Sequence, residues 1–90
     1  IFQSARIYPD KTYTVESIER CIEHLTNSGE YGEITRIKGF VKAQDGIIAV
    51  NCTVSDRQFE VIENGWAMLN IIGRNLRRKK IAECLGNYAI

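Results

Sequence analysis

The chain of 90 residues lacks most of the residue patterns on which catalysis depends. It contains one histidine, His24, and nothing in the sequence pairs this residue with a serine or an acid. A serine or cysteine nucleophile generally needs a histidine or an equivalent base beside it. We therefore predict no catalytic residue, and we expect that this chain alone is not an enzyme.

Nucleotide-binding and membrane-spanning patterns are missing as well. No Gly-x-x-x-x-Gly-Lys-Ser/Thr run is present. The chain therefore has no phosphate-binding loop of this type, in which backbone amides and a lysine hold the phosphates of a nucleotide. The net charge is +1, which produces no overall field to attract nucleic acid or a membrane surface. The apolar runs are too short to span a bilayer, and no signal peptide is visible. We expect a cytoplasmic protein that binds neither membrane nor nucleic acid.

Cysteine usage argues against a disulfide framework. The three cysteines, Cys21, Cys52 and Cys84, are odd in number and have no Cys-x-x-Cys spacing, so buried free thiols in a reducing cytosol are expected. Cys21 and His24 are three residues apart on a predicted helix and could share a metal ion, but a closed zinc site needs two further ligands. Core packing is the favoured interpretation, and no metal site is predicted. The alternatives are a closed site that includes Cys52 and Cys84, or a weak surface site through His24.

Hydrophobic periodicity predicts seven secondary-structure elements in the order β-α-β-β-β-β-α. The segment 33–43 is ambiguous, because its apolar residues also suit a helix face. Gly39 would cost a helix about 1 kcal/mol relative to alanine, so a strand is predicted. The segment 66–73 is apolar on both faces, which is typical of a central strand. The predicted strands are 1–8, 33–43, 47–54, 58–62 and 66–73, and the predicted helices are 15–27 and 76–85.

Cap and turn signals separate these elements. Thr14 offers an N-cap to the first helix, and Asn75 offers one to the second. Gln44-Asp45-Gly46 and Asn64-Gly65 are typical of hairpin turns. The order predicts an α+β fold of two layers, in which a mostly antiparallel sheet of about five strands carries two helices on one face. The length fits one domain, residues 1–90.

Two groups of cations stand out against this background. Arg36 and Lys38 are two residues apart on a predicted strand, so they share one face and form a candidate interaction surface. The alternative is that both are solvated, or extend along Phe40 as snorkelling cations. A second cluster, 77–80, places four cations in the first turns of the last helix, where the helix dipole is also positive. A solvated face is favoured there over a patch for an acidic partner.

Glycines accompany the central cations and the last predicted strand. Gly39 follows Lys38, and Gly73 lies in the run Ile71-Ile72-Gly73-Arg74-Asn75-Leu76. Glycine inside a strand often marks a close backbone approach or the end of the strand. We therefore interpret Gly39 and Gly73 as structural residues and not as part of a phosphate-binding loop.

Three segments resemble one known family. The run Gly32-Glu33-Ile34-Thr35-Arg36-Ile37-Lys38-Gly39-Phe40-Val41 resembles the Gly-Glu/Asp-(apolar)-x-Arg-x-Lys-Gly-(apolar) signature of CobW C-terminal domains. The run 70–76 resembles that family's closing strand and helix start, and 2–8 resembles its opening strand. Each motif is short, but together they extend over nearly the whole chain.

The resemblance implies an accessory role. CobW proteins are P-loop GTPases associated with cobalamin biosynthesis and with the delivery or homeostasis of zinc, cobalt and other metals. The chain would then be a non-catalytic regulatory or protein-interaction domain cut from such a metallochaperone. GTP and a divalent metal would belong to the missing N-terminal domain, and this fragment would hold no cofactor. Its expected partners are its own N-terminal GTPase domain and a metalloprotein client.

Two other points stay open in the sequence. The rival function is that of a free-standing ferredoxin-like module that binds a small ligand or RNA. Trp66 and the strand edges are compatible with self-association into a homo-oligomer.

Overall fold

A computed structural model, which describes residues 1–89, forms one six-stranded sheet with two helices. The α+β class and the predicted order of the first seven elements are confirmed. A short strand that the sequence pattern did not predict follows the second helix. The elements are β1 Gln3–Pro9, α1 Val15–Asn27, β2 Glu33–Ala43, β3 Gly46–Thr53, β4 Arg57–Ile62, β5 Met68–Arg74, α2 Arg78–Leu85 and β6 Asn87–Ala89.

The strands lie in the order β4-β3-β2-β5-β1-β6, and every neighbouring pair is antiparallel. β2 and β3 form the predicted hairpin around Gln44-Asp45-Gly46. The second predicted hairpin is wrong, because β4 is an edge strand while β5 lies between β2 and β1. The connection that contains Asn64-Gly65 therefore has to cross the ends of β3 and β2. The central position predicted for β5 is confirmed.

Both helices pack on the same face of the sheet, which we call the covered face. Alternate residues of β1, β2, β3 and β5 point to this face and are buried in a single apolar cluster with the helices, and Phe59 of β4 packs against that cluster. α1 contributes Ile18, Ile22 and Leu25 to the cluster, and α2 contributes Ile81, Ala82 and Leu85. The cluster residues with no more than 1% exposure on the strands are Ala5, Ile7, Ile37, Val41, Ile48, Leu69 and Ile71.

The two helices begin differently. Thr14 caps α1 as predicted, because its Oγ1 accepts from the Ser17 amide at 3.0 Å and the Ser17 hydroxyl accepts from the Thr14 amide at 2.9 Å. The prediction that Asn75 caps the last helix is wrong. Asn75 has a φ of 53° just after β5, and Arg77 occupies the N-cap position of α2 without a side-chain cap.

Close backbone contact explains the glycines of the two central strands. A Cβ atom at Gly39 would lie 2.0 Å from the carbonyl oxygen of Met68, and one at Gly73 would lie 2.0 Å from that of Glu33. Gly39 also has a φ of 147°, which L side chains rarely adopt. No side chain larger than hydrogen fits at either position without movement of the partner strand.

Candidate interaction surface

The second face of the sheet carries neither helix, and we call it the open face. Its side chains are the outward-facing residues of β1–β5, which alternate with those of the core. All of them are exposed or half-buried. They are Ser4, Arg6, Tyr8, Glu33, Arg36, Lys38, Phe40, Lys42, Ile47, Ala49, Asn51, Thr53, Gln58, Glu60, Ile62, Met68, Asn70, Ile72 and Arg74.

A row of polar side chains crosses the middle of the open face. The strand register aligns one polar residue from each of five strands: Arg6, Asn70, Lys38, Asn51 and Gln58. We call this set the polar row. Lys38 stands at its centre on β2, between an asparagine on β5 and an asparagine on β3. Side chains at directly opposed positions of neighbouring strands are about 5 Å apart at Cβ, so the row forms one continuous strip.

Side chains beside the row orient its two asparagine amides. The Ser4 hydroxyl donates to Oδ1 of Asn70 at 2.9 Å, and Nη2 of Arg36 approaches Oδ1 of Asn51 at 3.4 Å. Each amide oxygen is therefore engaged within the face. Both amides are held from the Ser4–Arg36 side, which leaves their NH2 groups as hydrogen-bond donors for another molecule.

The open face has an excess of positive charge. It carries five cations, Arg6, Arg36, Lys38, Lys42 and Arg74, against the two carboxylates of Glu33 and Glu60. Lys42 is paired with Asp10, whose carboxylate lies 3.7 Å from Nζ. Within residues 1–89, no carboxylate lies at ion-pair distance from Arg36 or Lys38. The structure thus brings the two predicted cations to one face together with polar groups that the sequence did not connect to them.

One end of the open face is apolar and partly covered. Phe40 is opposite Met68 on β5 and Ala49 on β3. The β4–β5 connection passes over this end, since a Cβ atom at Gly65 would lie 3.3 Å from Cδ1 of Phe40. Trp66, the next residue of the connection, is 87% exposed. The aromatic ring on the central strand is therefore shielded, while the aromatic ring on the connection is free.

The other predicted candidates lie away from this face. His24 is exposed on α1, its Nε2 atom lies 3.6 Å from Glu30 Oε2, and its ring meets Tyr31 edge-on at 5.3 Å. From the 77–80 cluster, Lys80 reaches the same Glu30 at 3.3 Å. In the part of the chain that the structure describes, no three His, Cys, Asp or Glu residues are arranged to hold a metal ion.

The expected burial of the cysteines holds for one of the three. Cys52 is 2% exposed and lies on the covered face of β3. Cys21 and Cys84 are only half-buried, and they pack at the edge of the core. Each lies at the flank of the apolar stripe of its helix and not at the centre of that stripe, so its side chain is only partly covered by the core. Of the described helices, neither has the length and apolar character to cross a membrane.

Comparisons with known proteins give one informative match. No family model matches the sequence, and no curated protein matches it either. The structure is similar to that of the Zn(II)-bound YjiA GTPase from E. coli, a CobW-family protein, with a TM-score of 0.71 and 14% sequence identity. The match covers 92% of this chain and 28% of the YjiA chain. The chain therefore has a CobW-like fold and spans little more than a quarter of that GTPase.

Proposed function

We propose that this chain is a non-catalytic interaction domain of a CobW-type GTPase and that its open face docks on the GTPase domain of the same protein. The fold similarity to part of a larger GTPase supports this assignment, as does the sequence signature in the run 32–41. Fold similarity alone does not carry function, so the assignment of a docking face depends on the chemistry of that surface.

The polar row is the observation that carries the proposal. Lys38 and Arg36 have no carboxylate partner among the described residues, although they lie on a sheet face that also presents amide donors. Half-buried Met68 and Ile72 lie on either side of the row. A partly apolar surface with ordered polar groups and excess positive charge is suited to bind an acidic surface of another protein domain. Complementary charge speeds the encounter of the two surfaces and fixes their orientation.

The proposal gives the domain a coupling role. GTP and a divalent metal would bind to the N-terminal domain of the parent protein. The interaction domain would transmit the nucleotide and metal state of the N-terminal domain to a metalloprotein client. Delivery of zinc or cobalt, with cobalamin biosynthesis as one setting, is the function that the family resemblance supports. The residues of this chain would supply contact and orientation, with no chemical step of their own.

The test uses the full-length protein and its separated GTPase domain. We expect the double variant Arg36→Gln/Lys38→Gln to weaken binding of this domain to the GTPase domain by about tenfold in a calorimetric titration. GTP turnover of the full-length variant should lose its response to added zinc or cobalt. The effect on binding should shrink at high salt, because exposed charges are then screened.

A charge-matched control separates docking from general electrostatics. Arg78→Gln/Lys79→Gln removes two cations from α2, which lies on the opposite side of the sheet, and should leave binding within about twofold. Equal affinity and unchanged metal-dependent turnover in the Arg36/Lys38 variant would contradict the proposal. A parent protein with no GTPase domain would contradict it as well.

The rival module finds less support on this surface. Single-stranded RNA is usually held by bases that stack on aromatic rings of an open sheet. Phe40, the aromatic residue on the central strand β2, is shielded by the connection at Gly65. The most enclosed of the cavities, lined in part by Thr26, Thr35 and Arg57, holds only about 80 Å³, and the larger depressions of about 340 to 460 Å³ are open to solvent, whereas ligand pockets of roughly 300 Å³ or more bury most of their ligand.

A further inference from the structure

Two thiols that are distant in sequence meet at the interface of the two helices. Cys21 on α1 and Cys84 on α2 are 63 residues apart, and their Sγ atoms are separated by 3.8 Å. This separation is a non-bonded contact. A disulfide has an S–S bond of about 2.05 Å, so the two sulfur atoms would have to approach by less than about 2 Å to form one.

The pair is accessible to small reagents. Both thiols are half-buried and line a surface depression together with Lys11, Thr12, Tyr13, Ser17 and Arg20. The third cysteine, Cys52, is 2% exposed beneath the helices. A reagent in solution therefore meets Cys21 and Cys84 first, and Cys52 serves as an internal reference.

The surroundings of the pair distinguish its two members. Nζ of Lys11 reaches the carbonyl oxygen of Cys84 at 3.4 Å, which places a cation at the pair. Burial, and then the neighbouring Cys84 sulfur, raise the pKa of Cys21 to about 12. Because the thiolate is the attacking species, the raised pKa makes Cys21 the poorer first nucleophile and suits it to react second.

We propose that Cys21 and Cys84 are a reversible oxidation site that forms an intramolecular disulfide with a small-molecule disulfide as oxidant. The Cys84 thiolate attacks one sulfur of the oxidant, forms a mixed disulfide and releases the first small thiolate. Cys21 then gives its proton to that thiolate, and its sulfur attacks Sγ of Cys84. The mixed bond breaks, and the second small thiolate leaves and takes up the proton that Cys84 had lost. Two protons and two electrons thus pass from the thiols to the oxidant.

The bond would clamp the helix layer. It joins α1 to α2 across 63 residues, which removes much of the freedom of the unfolded chain. The open face lies on the other side of the sheet and keeps its side chains unchanged. The clamp therefore goes beyond the proposed docking function, and its stabilising effect does not depend on the partner.

Oxidised glutathione tests the site in the intact, folded chain. After treatment at pH 8 and denaturation, we expect one free thiol where the untreated chain has three. The intact mass should fall by two hydrogen atoms, and peptide mapping should link Cys21 to Cys84. The thermal midpoint should rise by on the order of 10 °C and return to its original value with a dithiol reductant.

Three variants check the assignment. Cys52→Ser should oxidise like the parent chain. Cys21→Ser and Cys84→Ser should each fail to form the intramolecular disulfide and should retain at most one glutathione on the remaining thiol, because the second thiol is missing. Retention of all three thiols in the folded parent chain would overturn the proposal, as would a cross-link that includes Cys52. The peptide map of the unmodified sequence decides the matter even if a variant fails to fold.

Discussion

The covered and open faces of one sheet use the same five strands for different purposes. On β5, Ile71 points to the helices and is fully buried, whereas its neighbour Ile72 points to the open face and is half-buried. The covered face is mostly aliphatic, and the open face mixes apolar side chains with the polar row. Folding requires the first face, because burial of apolar surface is the main stabilising term. The second face is free to be selected for contact with a partner.

Charged groups show the same contrast. Arg57 lies at the edge of the covered face, where Nη2 donates to Thr26 at 3.0 Å and Nη1 pairs with Glu23 of α1. The hydrogen bond from Arg57 holds the pKa of Glu23 below its usual value, with a second contribution from Asn27. Arg36 on the open face has only a 3.4 Å contact with Asn51. The cation at the helix layer is thus engaged within the fold, while the cation on the open face has capacity for an external partner.

The largest expected effect separates the two faces on one strand. Ile71→Ala should lower the free energy of unfolding by about 4 kcal/mol, because it leaves a cavity among fully buried side chains. Ile72→Ala removes the same atoms from a half-buried site and should cost about 1 kcal/mol. Urea titration of both variants measures the difference. Equal losses would mean that the open face is part of the core of the isolated chain.

A second comparison concerns the close contact between the backbones of the two central strands, β2 and β5, at their glycines. Gly73→Ala should cost about 3 kcal/mol, since the new Cβ would lie 2.0 Å from the carbonyl oxygen of Glu33 and would push β2 and β5 apart. The control is Gly65→Ala, whose nearest neighbour would be a side-chain methyl of Ile47 at 3.2 Å. We expect a change within about 0.5 kcal/mol there. Similar denaturation midpoints for both variants would contradict the tight pairing of the central strands.

Local patterns predicted the elements well, because each depends on neighbours along the chain. Thr14 begins α1 through a hydrogen bond to Ser17, three residues away, and this signal is visible in the sequence. The β4–β5 connection was misjudged, since Asn64-Gly65 has local hairpin chemistry while strand order depends on distant pairing. Asn75 failed as a cap because its backbone is left-handed. The helix begins two residues later, after Arg77, whose amide donates to the carbonyl oxygen of Tyr31.

The candidate surface was predictable only in part. Alternation along β2 placed Arg36 and Lys38 on one face without knowledge of the fold. Their neighbours Asn51 and Asn70 came from β3 and β5, whose register with β2 no local pattern specifies. The Cys21–Cys84 contact is of the same kind, because it depends on how two helices pack. Register and packing are set by the whole core, and single-sequence periodicity does not contain them.

The smallest expected effect sharpens the comparison of charges. The pKa of Glu23 is lower in the folded chain than its ordinary value of 4.5. The ion pair with Arg57 therefore stabilises the fold fully at pH values above 4.5, and this contribution is lost as the pH falls through the folded-state pKa. Glu23→Gln should therefore lower the thermal midpoint at pH 7, and the difference from the parent chain should shrink as the pH falls below 4.5. Glu60→Gln, on the open face, should have the thermal midpoint of the parent chain at pH 7 and below pH 4.5. A Glu23 difference that persists at low pH would assign its effect to packing, and the contrast between engaged and free charges would then fail at this site.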